Sequence, residues 1–301
     1  MSIPAAYIAV ILIWSTTPLA IQWSSIGAGF SFAVMARMVI GLVLAGLLLA
    51  VWRVGLPLHR RARMSYLASG LGMFGAMLCT YWGAQYISSG LVSVLFGLAP
   101  LVTSVLAAFW LGERALEPFK LAGIGLGLVG LVVVFGAQLS ADTHHAAWGV
   151  ASLVLAVLIY SAGLVWMKRI GDDSPPLATT TGTLIVALPL FIGAWWLVDG
   201  RVPVDMPLRT EAAIVYLGVF GSVLGFALYY YIVKHVEAGK VALITLTTPV
   251  FALLLGAWLN GEIVPLRVWL GAACIGLGLA LHQKSAWSGA MSAVRLKSTQ
   301  E

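Results

Sequence analysis

The residue that first invites chemistry is Arg37. No other charged residue occurs from Met1 to Trp52, so it stands alone, about two turns inside a long apolar stretch. An arginine at that depth in a lipid-crossing helix is expensive. Its head either faces a cavity or a partner, or snorkels along its stem to the nearer interface. Turned inward, it could bind a carboxylate or hold backbone carbonyls as part of a gate. Two further candidates are Glu113 and Glu262, each preceded by glycine and 149 positions apart (262 − 113). Both fall at the ends of apolar runs. They can cap or close a loop there, or act as gates. No acid falls at mid-depth in any apolar run, and a buried acid is the usual proton carrier of a coupled transporter. His235 and His282 are weak substitutes for one. His144-His145 has no partner at zinc-site spacing, and no His-Glu-x-x-His occurs. Asp172-Asp173 reads as a solvated turn before Pro175-Pro176. Cys79 and Cys274 sit inside apolar runs and read as small core residues. The expectation is no catalytic residue, no metal and no cofactor.

Aromatic residues supply a second kind of chemistry. Trp14, Tyr81, Trp82, Tyr160, Trp166, Tyr229, Tyr230 and Tyr231 fall within apolar runs. They offer a flat apolar face and a polar tip, which suits an amphipathic solute or a cation. Aromatics also form belts at membrane interfaces. Trp14, Tyr81 and Tyr230 rank first, because both halves of the chain supply an aromatic at matched positions. Phe96 and Thr245 lie one turn before Pro100 and Pro249. Each proline removes a backbone hydrogen bond and frees a carbonyl one turn earlier. The candidate binding residues are therefore Trp14, Ser15, Arg37, Tyr81, Trp82, Phe96, Tyr160, Tyr230 and Thr245. The candidate hinges and gates are Pro100, Glu113, Pro249 and Glu262.

What positions these residues is a duplication. Gly90 matches Gly239, Pro100 matches Pro249 and Gly112-Glu113 matches Gly261-Glu262, all at an offset of 149; Gly72/Gly221, Tyr81/Tyr230 and Gly127/Gly276 keep it. Leu12-Ile13-Trp14-Ser15 resembles Leu158-Ile159-Tyr160-Ser161 at an offset of 146. Hydrophobic residues make up 61% of the chain and charged residues only 9%. A soluble domain carries about 25% charged residues, so this chain belongs in a bilayer. Its net charge of +6 forms no compact basic face for nucleic acid.

A membrane helix needs about 20 apolar residues. The charge-free runs predict an all-α protein of ten membrane helices: 3–22, 31–52, 65–86, 91–111, 118–138, 147–167, 176–198, 211–233, 240–260 and 266–283. With both termini inside, Arg53, Arg60, Arg61, Arg63, Arg114, Lys120, Lys168, Arg169, Lys234, Lys240, Lys284, Arg295 and Lys297 face the cytoplasm, and only Arg201, Arg209 and Arg267 face outward. That bias sets the orientation. Five helices per repeat is an odd number, so the second copy enters the membrane upside down. Residues 1–142 form the first repeat, and residues 143–301 form the second with a short cytoplasmic tail. Such repeats place a substrate site near the midplane between the halves. Gly123-x-x-x-Gly127 and Gly221-x-x-x-Gly225 permit close helix approach, as internal packing or as a dimer face. The expected partners are a small-molecule substrate and the bilayer, with the chain a monomer or weak homodimer.

The order and duplication of these segments resemble the EamA-like transporters of the drug/metabolite transporter superfamily. The segments are Trp14-Ser15-Thr16-Thr17-Pro18, Ser89-Gly90 through Pro100 to Leu111-Gly112-Glu113-Arg114, and Ala238-Gly239 through Pro249 to Asn260-Gly261-Glu262. The second copy departs with Ile263 after its glutamate and Tyr160 in place of Trp14. The resemblance covers residues 3–283. It implies bacterial inner-membrane export of a metabolite, often an amino acid or related solute, through a central cavity lined by helices 1, 3, 4, 6, 8 and 9. A membrane enzyme is the competing class, and proton-coupled efflux the competing mechanism.

Overall fold

The protein is seen in a computed structural model that describes residues 2–112, 118–139, 144–235 and 238–298. Side chains are described for these except at 135, 137–139, 144, 230, 233–235, 238–243 and 283–298. Every described element is helical: α1 Ile3–Ser25, α2 Phe30–Val51, α3 Arg60–Gly83, α4 Ser89–Phe96, α5 Ala99–Leu111, α6 Pro118–Leu139, α7 His144–Ile170, α8 Pro176–Val198, α9 Leu208–Tyr216, a π-helix Leu217–Leu224, α10 Gly225–His235, α11 Ala238–Asn260 and α12 Leu266–Ser298. Lipid offers no hydrogen bonds to backbone, so a helix is the natural state of such apolar runs.

Among the described residues, six stretches are long and apolar enough to cross a membrane: Ile3–Ser25, Phe30–Val51, Ser89–Leu111, His145–Ile170, Pro176–Val198 and Leu208–Tyr229. Three shorter apolar helices follow from Pro118–Val134, Ile244–Asn260 and Leu266–His282. Helix α3 is in neither group. It carries Ser65, Ser69, Thr80 and several glycines, and it packs against both α7 and α8. A span sheathed by protein needs less apolar surface than one facing lipid.

The ends of the helices gather as alternating spans require. At one end, Thr210 Oγ1 donates to Ile26 O at 2.8 Å, and Gln22 Nε2 donates to Ile87 O at 2.6 Å. At the other, Tyr66 Oη donates to Pro57 O at 2.9 Å, and His59 Nε2 lies 3.6 Å from Asp172 Oδ1. Asp172 corrects the sequence reading of a solvated turn, because its side chain is only 2% exposed.

Two spans are broken differently from expectation. The fourth was predicted as one kinked helix, but it divides into α4 and α5. Pro100 lies in the first turn of α5, where a missing N–H costs little. The chain before it tightens: Gly97 N donates to both Ser93 O and Val94 O, and Leu98 N to Leu95 O. Its repeat-mate Pro249 instead lies inside a continuous α11. The eighth span passes through eight π-helical residues, which no sequence signal announced. The last helix runs to Ser298, beyond the predicted end at 283.

The glycine-rich helices α6 and α12 pack on each other. A methyl at Gly130 would stand 2.7 Å from Gly271 O, and one at Gly278 would stand 2.6 Å from Gly123 O. These glycines, with Gly127, serve an internal crossing. Apolar residues such as Leu128, Val132, Leu270 and Leu277 cover the outside of the pair.

Candidate functional site: a buried arginine between the halves

Arg37 does not snorkel. It lies on the α2 face that packs against the π-helix, and it is 5% exposed. Its Nε donates to Ser222 Oγ at 3.0 Å, and Nη1 reaches Tyr81 Oη at 3.5 Å. Ser222 Oγ in turn donates to Leu217 O at 3.1 Å, five residues back along the π turn. Tyr81 is wholly buried at the far end of α3. Nη2 of Arg37 has no hydrogen-bond partner among the described residues. It rests over Gly221, where an added methyl would stand 3.3 Å away. The ion pair found among the described residues is His59–Asp172, so no acid there answers Arg37.

One turn along, Gly225 does the same for Trp14. A methyl at Gly225 would stand 3.2 Å from the indole Nε1. Gly225 follows Gly221 by four residues, at the end of the π-helix. Gly221 and Gly225 therefore hold a guanidinium and an indole at neighbouring levels of one span. Trp14 packs on Tyr229 (centroids 4.9 Å apart) and edge-on to Phe226 (6.2 Å). The Gly-x-x-x-Gly spacing thus admits side-chain heads from two other helices, where close helix packing was expected.

A second aromatic pair, Phe96 with Tyr160 at 6.2 Å, lies between α4 and α7. Ser15 is buried and its hydroxyl has no partner among the described residues, whereas its repeat-mate Ser161 donates to Ala99 O at 3.3 Å. Thr245 is half-buried on α11. Trp82, next to Tyr81 in the chain, makes a different aromatic contact. It packs edge-on to Tyr86 at 5.0 Å, and Tyr86 stacks on His145 at the start of α7. The side chain of Tyr230 and the whole of Glu113 lie outside the described residues.

Glu262 bridges helix ends at one end of the molecule. Its carboxylate accepts from the backbone N–H of Ser89 at 3.1 Å and of Gly90 at 3.5 Å, the first residues of α4. A carboxylate at a helix N-terminus satisfies orphan donors and meets the positive end of the helix dipole. Asn260 Nδ2 donates to Glu262 Oε1 at 3.0 Å, and Trp23 Nε1 donates to Asn260 Oδ1 at 3.0 Å. The Arg209 guanidinium lies 3.6 Å from the centre of the Trp23 ring. This web joins α1, α4 and α11, and so spans both repeats. A depression of about 360 Å³ beside it is lined by Gln22, Trp23, Gln85 and Asn260, among others. Deeper in, α4 and α11 nearly touch: a methyl at Gly90 would stand 2.7 Å from Leu253 Cα.

Sequence reasoning missed Ser222, Asn260, Gln22 and Trp23. A serine one residue beyond Gly221, and a lone asparagine directly before Gly261-Glu262, were the available signals.

The model of the EamA-like transporter family matches residues 2–136 and again residues 147–282. A probable terminal-alkyne amino-acid exporter of Streptantibioticus cattleyicolor is 27% identical over 278 residues, covering 91% of this chain and 90% of that protein. A probable amino-acid metabolite efflux pump of Salmonella typhimurium is 27% identical, covering 72% and 74%. The uncharacterized transporter YoaV of Bacillus subtilis is 24% identical, covering 82% and 84%. A solved structure described as the crystal structure of a protein superposes with a TM-score of 0.64 at 21% identity, over 95% of this chain and 98% of that one. The likeness supports the helical fold alone. With two family matches placed one per repeat, this multi-pass membrane chain belongs to the EamA-like transporter family.

Proposed function

We propose that this transporter exports a small metabolite, an amino acid or similar amphipathic solute, across a bacterial inner membrane by alternating access. Ten spans form two inverted five-helix repeats, with residues 1–142 and 143–301 as the halves. Both termini lie in the cytoplasm, so the Glu262 end faces outward. The observation that carries this reading is the cap of Glu262 on α4, a small polar contact made across the two repeats, which in this reading is the latch of the outer mouth. Breaking it would let the halves part on that side. The repeat-mates of Glu262 and Ser89 are Glu113 and Ala238, both at an offset of 149, and Ala238 begins α11. The same latch chemistry is available to the inner mouth. Trp14, Ser15, Arg37, Tyr81, Phe96, Tyr160, Tyr230 and Thr245 line the path between the latches, Trp82 borders it, and Pro100 and Pro249 are its hinges.

Transport is facilitative or an exchange. The described spans offer no carboxylate at mid-depth to carry a proton, and arginine does not give one up. The chain acts as a transporter and not as an enzyme. Among the described residues no cluster of His, Cys, Asp or Glu could hold a metal ion. Flux of labelled amino acids from liposomes containing only this protein tests the reading. Flux is expected to persist after an uncoupler collapses any pH gradient. Accumulation driven by a pH gradient alone, and abolished by Glu113→Gln or Glu262→Gln, would make those glutamates proton sites instead.

A further inference from the structure

The two repeats build the same helix crossing twice, and only one copy contains a charge. In the first copy a methyl at Gly70 would meet Val186 Cβ at 2.7 Å and Thr183 O at 3.1 Å. In the second, a methyl at Gly218 would meet Ile40 Cβ at 2.7 Å and Arg37 O at 3.3 Å. Val186 and Ile40 differ by 146 positions, and so do Thr183 and Arg37 (186 − 40, 183 − 37). Arg37 and Thr183 are therefore counterparts by contact. Thr183 is satisfied locally, through Thr179 O and the Ser69 hydroxyl. The crossing needs no guanidinium.

The charge has also been given room. Between matched contacts the first copy runs from Gly70 to Gly75, which faces Ile159. The second runs from Gly218 to Gly225, which faces Ile13, the counterpart of Ile159 at the same offset of 146. The second copy thus has two residues more over that interval (7 against 5), and the π-helix takes them up. Such π segments are frequent at functional sites. Here the wide turn presents the Ser222 hydroxyl to Nε and leaves Gly221 without a side chain under Nη2.

We propose that Arg37 binds the carboxylate of the transported solute, with the Ser222 and Tyr81 hydroxyls positioning its guanidinium, and that the site selects carboxylate anions and rejects cations. The inference rests on the transport reading above and adds the substrate class. A buried cation with no acid partner among the described residues draws a counter-ion, and guanidinium matches a planar carboxylate in a two-pronged pair. Trp14, whose half-buried indole meets Gly225 four residues beyond Gly221, supplies with Tyr229 and Phe226 an aromatic cluster near the solute's apolar or aromatic body. The described spans hold no mid-depth acid that would fix an ammonium group, so the carboxylate is the group that is read.

Three probes that share an indole test this: indole-3-acetate, tryptophan and tryptamine, as anion, zwitterion and cation. Flux into liposomes and calorimetric titration of the purified chain are measured together. Indole-3-acetate and tryptophan are expected to bind and move, and tryptamine at least tenfold less. Arg37→Gln should lower carboxylate affinity at least tenfold, while Arg37→Lys retains part of it. Ser222→Ala and Tyr81→Phe should weaken it several-fold with the charge kept, and they serve if Arg37→Gln does not fold. Tryptamine binding as well as indole-3-acetate, or Ser222→Ala and Arg37→Lys leaving carboxylate binding unchanged, would overturn the proposal. Carboxylate binding that depends on Arg37 without any flux would sink the transport reading and leave the anion site standing. Flux blind to charge would do the reverse.

Discussion

Replacing Glu262 by glutamine should open the outer mouth. The carboxylate accepts two backbone N–H groups at the start of α4, at 3.1 and 3.5 Å, and one amide N–H of Asn260 at 3.0 Å. Glutamine keeps one carbonyl oxygen and turns the other acceptor into a donor facing N–H groups. A hydrogen bond to a charged group contributes about 1.5–3 kcal/mol, and a neutral one about 0.5–1.5. The favourable helix-end charge, about 0.3–1 kcal/mol, is lost as well. The 3.5 Å contact is weak, so the sum is taken at about 2 kcal/mol. At about 1.4 kcal/mol per factor of ten, the closed outer state loses about 30-fold in population relative to the open one. Ser89 reports the change. It is 1% exposed and sits beside the latch, and cysteine there keeps the backbone N–H. With Cys79 and Cys274 replaced by serine, Ser89→Cys should react with a membrane-impermeant maleimide from outside. Reaction should be about 30 times faster in the Glu262→Gln background. Equal rates in the two backgrounds would refute the latch, because the thiol is reached only when α4 and α11 part.

The matched crossings should respond alike. Gly70→Ala and Gly218→Ala each push a methyl to within 2.7 Å of a β-branched side chain, and each should destabilise the protein by about 1–3 kcal/mol, read as a fall in Tm. Gly271→Ala should do the same at the α6–α12 crossing, where its methyl would stand 2.9 Å from Gly130 O. If the solute is an anion, a membrane potential should drive it: one charge gains about 2.3 kcal/mol per 100 mV. Liposomes made negative inside by a potassium gradient should therefore expel indole-3-acetate without a pH gradient, and tracer flux checks this. A reporter fused after Glu301 should be active only in the cytoplasm, and periplasmic activity would invert the orientation.

Much of the fold was readable because lipid imposes one rule on every span. Charge-free runs of about 20 residues have to be helical, and the predicted limits of α2, α6, α8 and the end of α11 fall within two residues of those found. The duplication was readable because glycines and prolines at helix crossings resist exchange for larger residues. Gly90 shows why: Leu253 backbone lies where its side chain would be. Offsets taken along the sequence were less secure inside the eighth span. Gly72 and Gly221 align at 149, yet Gly72 faces the Gly163 backbone and Gly221 faces the Arg37 guanidinium. A π-helix is a matter of hydrogen-bond register, and no residue type marks it. The division of α4 from α5 is hidden for the same reason, since Pro100 and Pro249 occupy equivalent positions and only one interrupts its helix.

Arg37 illustrates where a sequence must stop and contacts must begin. Its depth in α2 was evident from the run of uncharged residues, but depth alone serves a snorkelling head as well as a buried one. What separates them is rotation about the helix axis. The buried residues of α2 include Ala33, Val34, Arg37, Met38 and Gly41, an i, i+3, i+4 stripe. Arg37 lies on that stripe, so its head is turned into packed protein and not along the lipid-facing side. The stripe is invisible in the sequence because lipid-facing and protein-facing positions of this helix are equally apolar: Val39, Val43 and Leu47 are exposed, while Val34 and Met38 are buried. In a soluble helix polarity would have marked the inner face. In a membrane helix the marker is size, and Gly41 and Ala45 on the buried side were the trace of it. Gly41 sits against Ser222 and Gly218 O, so the small residue that brings α2 close to the π-helix lies one turn from the arginine that this approach buries. The packing stripe and the charge are thus one feature: the close approach of α2 to the π-helix is also what buries the cation.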